Sequence, residues 1–553
     1  MIKKILCALS LVFLAGNLSA QEPKIIEIQQ AGGSTQDEVR FPGANILFKT
    51  DNRRVHLFHE GALIKSDLAY FYAKANNFQA EGDIVFTQGD SLRMTCNSIF
   101  YDGKLKTAVA SGKVFLERPD MTLRTDTLYL DRINDKAYYN TKGVIVDSSS
   151  TLTSNRGIYF LNEKKYRFLS NVNIVNPEYT VNSQQLDYFT ERNQAYLYGR
   201  SKIVGKSYEI NCEQGFYDLN VERGIFKKNA VIFYDNKEIS GDSLYFESAR
   251  NYAAATNNIQ IIDTLNNSII RGHYGEIFKA QDSAIITRRA LAINILEKDS
   301  LFIHADTLVA TGPKEQRILR AYYDVRILKS DIRGKSDSLY LDESIGLTKL
   351  LSKPRTSQQK QIFTEADNNK NNPVLWFDKS QMTGDKIFLI SNLETKKLDS
   401  LKIDGNVFII EKDTVGNLGY NQIKGGILKG SFKEGKLDRI NIVKNTEMVY
   451  FLYSDEDQQL IGIDKTTCSA LQMDFLEGQI NDITFLVTPD GDVYPEEDLP
   501  ENDRTLKGFI WREEERPETV EDLFDENDQA VLKAIQSFQY PLAPDPQPNQ
   551  NKP

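Results

Sequence analysis

The sequence predicts an all-β protein that stacks about ten antiparallel repeats of about 30 residues each, with a short C-terminal helix. First, short β-branched and aromatic runs recur at this spacing for most of the chain. Second, apolar and polar residues alternate within the runs, as in Val172-Asn173-Ile174, which is typical of a strand with one buried face. Third, Asn, Asp and Gly clusters separate the runs and favour turns.

Each repeat is built as a pair of β-strands. One strand ends in an aromatic or aliphatic–aromatic group, at residues 99–101, 128–130, 158–160, 216–217, 244–246, 277–278 and 339–341. The next begins with a small or polar residue followed by β-branched residues, at 82–86, 112–116, 143–146, 171–175, 230–233 and 258–262. Such repeats bury their apolar faces only against neighbouring repeats, so we expect the function to lie in one long surface or groove.

One apolar stripe is predicted to face the shared interior of the stack. Residues two apart in a strand take the same face. This pattern assigns the interior, and with it a candidate binding groove, to Ile84, Phe86, Val114, Leu116, Val144, Val146, Val172, Ile174, Val231, Phe233, Ile259 and Ile261. A closed, packed core and a lined trough give the same pattern, so periodicity leaves both open.

The chain divides into six predicted segments. Residues 1–20 have the features of a secretory signal peptide, with Lys3 and Lys4, an apolar stretch from Ile5 to Ala15, and a small-residue cleavage site at Leu18-Ser19-Ala20. The others are a flexible lead-in at 21–40, repeats at 41–350, an insertion or hinge at 351–373, further repeats at 374–488, and an acidic tail at 489–553 with a helix predicted at 520–538.

Charge and cysteine content exclude several classes of protein. The formal net charge of −10 argues against a nucleic-acid partner, because phosphate contacts need clustered Lys and Arg. Cys96, Cys212 and Cys468 are scattered and form no CxxC pair, so they predict neither a zinc site nor a disulfide framework. We interpret them as small buried residues of strands. We expect no metal and no cofactor.

Two Gly-Asp-Ser-Leu segments, at 89–92 and 241–244, match a serine-esterase signature. The chemistry needs a histidine oriented by a carboxylate, and none of the four histidines has Asp three residues before it. Asp-Ser/Thr-Leu also recurs at 126–128, 306–308 and 337–339, which indicates a structural position. We interpret it as a strand-entry turn in which Asp bonds local amides and Leu points inward.

The same triplet resembles the O-glycosylation acceptor used in the periplasm of some Gram-negative bacteria. That resemblance makes Thr127, Ser243, Thr307 and Ser338 candidate acceptors.

Other candidate sites for catalysis or metal binding are weak. His56 and His59 face opposite sides of a predicted strand, so we expect solvated histidines and no metal pair. No phosphate-binding loop, dinucleotide fingerprint or HExxH motif occurs. The carboxylates are spread along turns without a convergent pair, so the sequence predicts no catalytic residues and no enzyme.

The repeated ensemble resembles the OstA-like/LptA-like family of lipopolysaccharide-transport proteins. The matching features are the Gly-x-Val/Ile strands at 82–86, 112–116 and 143–146, the Asp-x-Leu-x-Tyr/Phe strands at 67–71 and 126–130, and Trp376-Phe377-Asp378 with Met382-Thr383-Gly384-Asp385. The likeness spans residues from about 40 to about 450 and implies an elongated β-jellyroll with an open trough. The chain departs from the family in its length, since the basic family unit is far shorter.

The resemblance implies a periplasmic protein, in some cases associated with the outer membrane, that carries or bridges lipopolysaccharide or another acylated glycolipid. It implies further partners: other jellyroll proteins of the transport bridge, joined by edge-strand addition, and an outer-membrane translocon. Two alternatives remain open from the residues: a β-solenoid scaffold or surface adhesin with a closed core, and a parallel β-helix that acts on polysaccharide.

Overall fold

The computed structural model describes residues 25–524 except residues 91, 120, 235, 297–298, 314–315, 353–369, 455 and 477–478. The predicted signal peptide, most of the predicted insertion, and all but the first residues of the predicted helix at 520–538 lie outside the described residues. The chain divides into two compact units, residues 1–203 and 204–553, and a single strand, Gln194–Gly205, contains the boundary.

In unit 1 the described residues form strands β1 to β17. Their bounds are Glu27–Gln30, Gly33–Thr35, Asn45–Phe48, Val55–His59, Ala62–Ser66, Leu68–Tyr72, Asn77–Gln88, Leu92–Asp102, Thr107–Glu117, Met121–Asp131, Lys136–Tyr139, Gly143–Asp147, Thr151–Ser154, Arg156–Phe160, Lys165–Val175, Tyr179–Phe189 and Gln194–Gly205. Residues 27–35 therefore form two strands where a flexible lead-in is predicted. That prediction is wrong because Ile26 is buried in the core and anchors the segment.

In unit 2 the described residues form strands β18 to β36. Their bounds are Tyr208–Asp218, Arg223–Tyr234, Lys237–Glu247, Tyr252–Asp263, Ser268–Phe278, Ser283–Ile295, Ser300–Thr311, Ile318–Leu328, Ile332–Asp342, Leu347–Leu351, Val374–Phe377, Ser380–Thr383, Lys386–Ser391, Leu398–Lys412, Tyr420–Lys433, Lys436–Tyr453, Leu460–Leu476, Gln479–Leu486 and Asp490–Tyr494. Short 3-10 helices follow at Glu496–Asp498, Glu501–Arg504, Glu513–Glu515 and Glu521–Leu523, and another lies at Lys279–Gln281.

The strand pairings described in each unit are antiparallel and join strands close in sequence, as in β7 with β8 and β8 with β9. The predicted all-β antiparallel class is confirmed. The parallel β-helix alternative is wrong, because it requires parallel neighbours.

About every second long strand bends in the middle, at a pair of consecutive residues with positive φ, and its partner strand shifts register at the same level. Gly82 and Asp83 have φ of 80° and 39°, and Asn257 and Asn258 have φ of 55° and 50°. Gly and Asn tolerate this left-handed region better than other residues do. The strand register shifts at each bend, as in a β-bulge, so each strand is divided into two arms. We call the arm with the aromatic groups arm A and the other arm B.

The two arms of each strand enclose one apolar interior. In β7, Phe78 and Ala80 of arm A and Ile84 and Phe86 of arm B are at most 2% exposed and belong to the same packed cluster. Where the pair lies within one strand, the residue directly after it is buried: Ile84, Val114, Val172, Ala230, Ile259, Ala290, Val325, Val407 and Thr446. The bend therefore sets which residues of arm B face inward.

Two of the predicted interior segments have the opposite phase. Val144 is half-buried and Val146 is 42% exposed, because Gly143 is the first inward residue of its strand and Ile145 the second. Phe233 is 39% exposed and Val231 is half-buried, because Ala230 follows the bend and takes the first inward position. These four residues face outward, and their assignment to a groove is wrong.

The Asp-Ser/Thr-Leu triplets at 126–128, 242–244, 306–308 and 337–339 lie at the bends, not at strand entries. Asp126, Asp306 and Asp337 fall at the register shifts opposite the positive-φ pairs. Their recurrence at one structural position is confirmed, and the Leu of each triplet is buried as predicted, at Leu128, Leu244, Leu308 and Leu339. The strand-entry turn is wrong, since the triplets interrupt continuous strands.

In unit 2 a third layer covers the outer face of arm B. We call residues 495–524 the strap. Its Leu499 and Leu506 pack on the outward side chains of Phe408, Val449 and Ile463. Because both faces of these strands are covered, Phe408, Ile409 and Ile410 are all buried in succession. The described beginning of the predicted helix, Glu521–Leu523, is a 3-10 turn in this strap.

Two buried glutamines fasten the strap to arm B in the same way. Gln381 donates from Nε2 to the Ile510 carbonyl at 2.8 Å and accepts from the Arg512 N–H at 2.7 Å. Gln422 makes the equivalent pair of bonds to Arg504 and Leu506, at 2.8 and 2.9 Å. Each side-chain amide thus satisfies one backbone carbonyl and one backbone N–H of a segment that has no strand partner there.

Candidate functional site

The interior of unit 1 is packed solid over its first strands. Phe78, Phe86, Met94 and Tyr101 are at most 2% exposed and join one cluster that runs from Ile26 to Tyr139. Side chains of both arms pack against each other in this part of unit 1. Members of the same cluster, such as Leu116, Leu123 and Leu128, also line a cleft.

A buried polar network marks the end of the packed region. His59 Nδ1 lies 2.6 Å from the Tyr101 hydroxyl, and Arg132 donates to the same oxygen at 3.2 Å. Lys106 donates to the Glu60 carboxylate at 3.1 Å. The predicted opposite facing of His56 and His59 is confirmed, but a solvated His59 is wrong, because its ring is buried and bonded to Tyr101.

Cleft 1 adjoins this network and has a volume of about 470 Å³. Its apolar walls come from both arms: Leu128, Leu130, Tyr166 and Phe168 from arm A, and Leu116, Met121, Leu123 and Ile145 from arm B. Its mouth lies at the hairpins that end the arms, on the side away from the bends. A ligand that entered there would contact apolar side chains of both arms.

Charged side chains of the hairpins border the mouth of cleft 1. Arg118 extends from the arm B hairpin to within 5.9 Å of the centre of the Tyr159 ring on arm A. Arg132, Asp131 and Asp135 belong to the opposite hairpin. The site thus combines an apolar interior with charges of both signs at its entrance, which suits an amphipathic ligand.

Tyr139 forms part of the inner wall of cleft 1 and depends on two glycines. Its hydroxyl lies 2.7 Å from the Ser154 hydroxyl. A Cβ at Gly143 or Gly157 would come within 2.3 or 2.4 Å of the Tyr139 ring. Burial raises the pKa of Tyr139, although the bond with Ser154 partly offsets this effect.

Cleft 2 lies between the arms of unit 2 and has a volume of about 570 Å³. Arm B contributes Leu301, Ile303, Ile327 and Ile332, and arm A contributes Leu339, Leu341 and Leu389. Like cleft 1, it opens between the hairpins. Both volumes fall within the range of small-molecule sites in proteins.

The mouth of cleft 2 carries three cations and one carboxylate. Arg317, Lys329, Lys396 and Glu343 all border it. Burial raises the pKa of Glu343, and the nearby Arg317 and Lys396 only partly offset this shift. Lys329 is paired with Asp331 at 2.7 Å, so Arg317 and Lys396 are the cations that favour the phosphate or carboxylate of an amphipathic ligand.

The structure brings together only some of the predicted groove residues. Phe86 and Leu116 line cleft 1. Ile84, Val114, Val172, Ile259 and Ile261 are buried core residues, and Ile174 is half-buried in an inward position. The sequence analysis did not assign Leu301, Ile303 or the hairpin cations to the groove. The available signal was the pair of bends at Arg288-Arg289 and Tyr323-Asp324, which lie on the two strands that flank Leu301 and Ile303.

The candidate glycosylation residues Thr127, Ser243, Thr307 and Ser338 are half-buried beside the bends. The hydroxyls of Thr127 and Thr307 each donate to the carboxylate of the preceding Asp at 3.0 Å. Their glycosylation stays a prediction. Cys96, Cys212 and Cys468 are buried free thiols, as predicted from sequence, and burial raises the pKa of Cys96 to about 12.

The part of the chain that the structure describes lacks two classes of functional feature. It contains no group of three or more His, Cys, Asp or Glu side chains placed to hold a metal ion. Among the same residues no helix has the length and apolar character needed to cross a membrane.

Bent antiparallel strands with an apolar, hairpin-bordered cleft in each unit define an all-β protein with interior cavities. The family model described as OstA-like protein matches residues 25–184. The resemblance predicted from the repeats is therefore confirmed for this part of the chain, which is similar to the OstA-like family.

Among solved structures, the chain is similar to LptH, the LptA homologous periplasmic component of the conserved lipopolysaccharide transport device from Pseudomonas aeruginosa. The identity is 16%, the TM-score is 0.19, and the match covers 19% of this chain and 81% of that chain. At this TM-score the likeness carries no conclusion about this chain. No curated protein matches the sequence.

Proposed function

We propose that this protein is a periplasmic, non-enzymatic lipid carrier of the OstA-like kind. Clefts 1 and 2 hold acyl chains of lipopolysaccharide or another acylated glycolipid, and the protein carries or bridges that lipid toward the outer membrane. The observation that carries the proposal is the cleft geometry: apolar arms inside, an opening between the hairpins, and cations at the opening.

The energetics favour such binding without any chemical step. Transfer of an acyl chain from water to the cleft contributes about 0.8 kcal/mol per methylene. Sugars and phosphates would remain in solvent at the mouth, beside Arg118 in cleft 1 and Arg317 and Lys396 in cleft 2. Catalytic residues have no part in this function, and an energised partner would supply direction.

Partners of the transport bridge would join by strand addition. Among the described pairings, β1 and β2 each have one partner strand, as do β35 and β36. Unpaired strand edges accept a further strand. A photo-crosslinker at Ile28 of β1 should capture another jellyroll protein or the outer-membrane translocon in intact cells, and a crosslinker that captures neither would argue against this mode of assembly.

The second candidate is a scaffold or surface adhesin with a closed core. The solid packing from Ile26 to Tyr139 favours it, since that part of the interior resembles an ordinary protein core. The two functions differ in whether lipid co-purifies. Mass spectrometry of the protein from the periplasm should detect acylated glycolipid for a carrier and none for a scaffold.

Site-specific photo-crosslinking tests the proposal directly. Crosslinkers at Leu130 and Ile145 in cleft 1, and at Leu301 and Leu341 in cleft 2, should capture acylated glycolipid. Phe100 and Phe233, which point outward and are 42% and 39% exposed, are matched apolar controls and should capture little. Equal capture at the inward and outward positions would contradict the proposal.

A further inference from the structure

The outer face of arm B in unit 2 binds the strap through a succession of cations. Lys335 Nζ lies 2.9 Å from the Glu515 carboxylate, and the Arg333 guanidinium lies 3.2 Å from that of Glu518. One strand earlier, Arg326 donates to a strap carbonyl at 3.1 Å. The strap therefore runs from β26 to β25 between Glu515 and Asp522.

The strap reaches its last described contacts on β23 to β25. Leu523 and Phe524 are buried against Leu291, Ile293 and Leu328. The Phe524 ring lies 4.4 Å from the ring of His304 on β24. The next strand along this path is β22.

The next cation on the path is Arg271 of β22. It is the cross-strand neighbour of Leu291, which packs under the end of the strap. Its Nε atom is buried and has no hydrogen-bond partner among the described residues. Directly after Phe524 the sequence supplies the acidic residues Asp525, Glu526 and Asp528. A buried guanidinium nitrogen without a partner is costly, and carboxylates are its usual partners.

A ladder of outward side chains, apolar except for Glu238, continues from the same point across β22 to β19. Ile269 of β22 packs beneath the strap end. Its successive cross-strand neighbours are Ile262 on β21, Glu238 on β20 and Phe233 on β19. Phe233 is 39% exposed, and Ile262 is half-buried. In contrast, the equivalent face under the strap has fully buried apolar residues such as Val449 and Ile463.

We propose that residues 525–538 extend the strap across this ladder. The acidic residues after Phe524 pair with Arg271, and the apolar residues Val531, Leu532, Ile535 and Phe538 cover Ile262 and Phe233. The distance fits, because β22 to β19 spans about 14 Å at ~4.8 Å per strand. Fourteen residues reach about 21 Å even as a helix.

A photo-crosslinker at Phe233 in the full-length protein tests the extension. The expected product is an intramolecular link to a peptide from residues 525–538, identified by mass spectrometry after proteolysis. The matched control is a crosslinker at Ile390, which is similarly exposed, at 43%, on the outer face of arm A in the same unit and should not reach the tail. Capture of a second chain, of lipid, or of no tail peptide at Phe233 would overturn the proposal.

Charge reversal separates specific docking from chance proximity. Arg271→Glu should reduce the yield of the Phe233 link several-fold, and the milder Arg271→Gln should reduce it less. Lys227→Glu, an exposed outward cation on arm A of the same unit, should leave the yield unchanged. Equal yields in all three variants would contradict the pairing with Arg271.

A chain that ends at Phe524 keeps the whole strap and removes only the proposed extension. Hydrogen exchange around residues 231–233 and 262 should become faster, whereas lipid capture from inside cleft 2 should persist, because the extension lies on the outer face. Unchanged exchange would overturn the extension, and loss of cleft capture alone would instead count against the proposed function.

Discussion

At the scale of single residues, Tyr139 shows how closely the interior of unit 1 limits side-chain size. Its ring rests on Gly143 and Gly157, where even a Cβ atom would come within 2.4 Å. The ring is 3% exposed and its hydroxyl is bonded to Ser154. Glycine is therefore required at these two strand positions by packing and not by backbone conformation.

Gly157→Ala should destabilise the protein by about 1–3 kcal/mol, because the added methyl group displaces the Tyr139 ring. Chemical denaturation monitored by circular dichroism measures the change. Gly334→Ala is the control, since a Cβ there meets its nearest neighbours at ordinary contact distance, 3.5 Å. An effect of Gly157→Ala no larger than that of the control would contradict the packing argument.

Backbone conformation restricts which residue types can stand at the bends. Asn258 has φ of 50° and donates from Nδ2 to the Asp242 carboxylate at 3.1 and 3.2 Å. Asn258→Val should cost about 1–3 kcal/mol, because a β-branched residue is strained at positive φ. Asn258→Gly removes the same hydrogen bonds without strain and should cost less. Thermal unfolding of both variants checks the order, and equal losses would exclude a role for φ.

At the scale of elements, the strap depends on a carboxylate with an altered pKa. Burial would raise the pKa of Glu515, but bonds from Arg512 and Lys335 outweigh it and lower the value to about 2. A depressed pKa stabilises the folded state above the carboxylate's ordinary pKa, and the stabilisation is lost as pH falls toward the folded-state value. The contacts of the strap should therefore weaken between about pH 5 and pH 2.

Glu515→Gln should destabilise the protein at pH 7 by roughly 1–3 kcal/mol, and the difference from the unmodified chain should vanish near pH 2. Hydrogen exchange of residues 495–524 at several pH values locates the effect in the strap. The neighbouring Glu514 is exposed, so Glu514→Gln is the matched control and should change little. A pH-independent loss in Glu515→Gln would contradict the assigned pKa.

Strand content and the repeat were predictable from local pattern, because alternation and turn residues act over a few positions. Which residues face inward at 143–146 and 230–233 was not predictable in this way. The first inward residues there are Gly143 and Ala230, which are not β-branched and so fall outside the repeated pattern. Pairs such as Gly82-Asp83 and Asn257-Asn258 were the available signal. The strap was not predictable, because Gln381 and Arg512 meet across 131 residues of sequence.

At the scale of the whole molecule, each unit has its own apolar cleft with its own charged mouth. Cleft 1 and cleft 2 share no lining residue, and each draws on both arms of its own unit. The proposed function therefore does not need one continuous groove. It predicts two acyl-binding sites per chain that can be disabled one at a time.

Leu341→Asp should abolish lipid binding in cleft 2, and Leu130→Asp should do the same in cleft 1, because an unpaired carboxylate in an apolar site costs several kcal/mol. Both leucines are half-buried at the cleft walls, where a charged side chain can remain partly hydrated when no lipid is bound. Native mass spectrometry with a defined acylated glycolipid should count two lipids on the unmodified chain, one on each single variant and none on the double variant. The outward substitutions Phe100→Asp and Phe233→Asp are matched controls and should retain two. If one substitution removed both lipids, a single coupled site would replace the two proposed here.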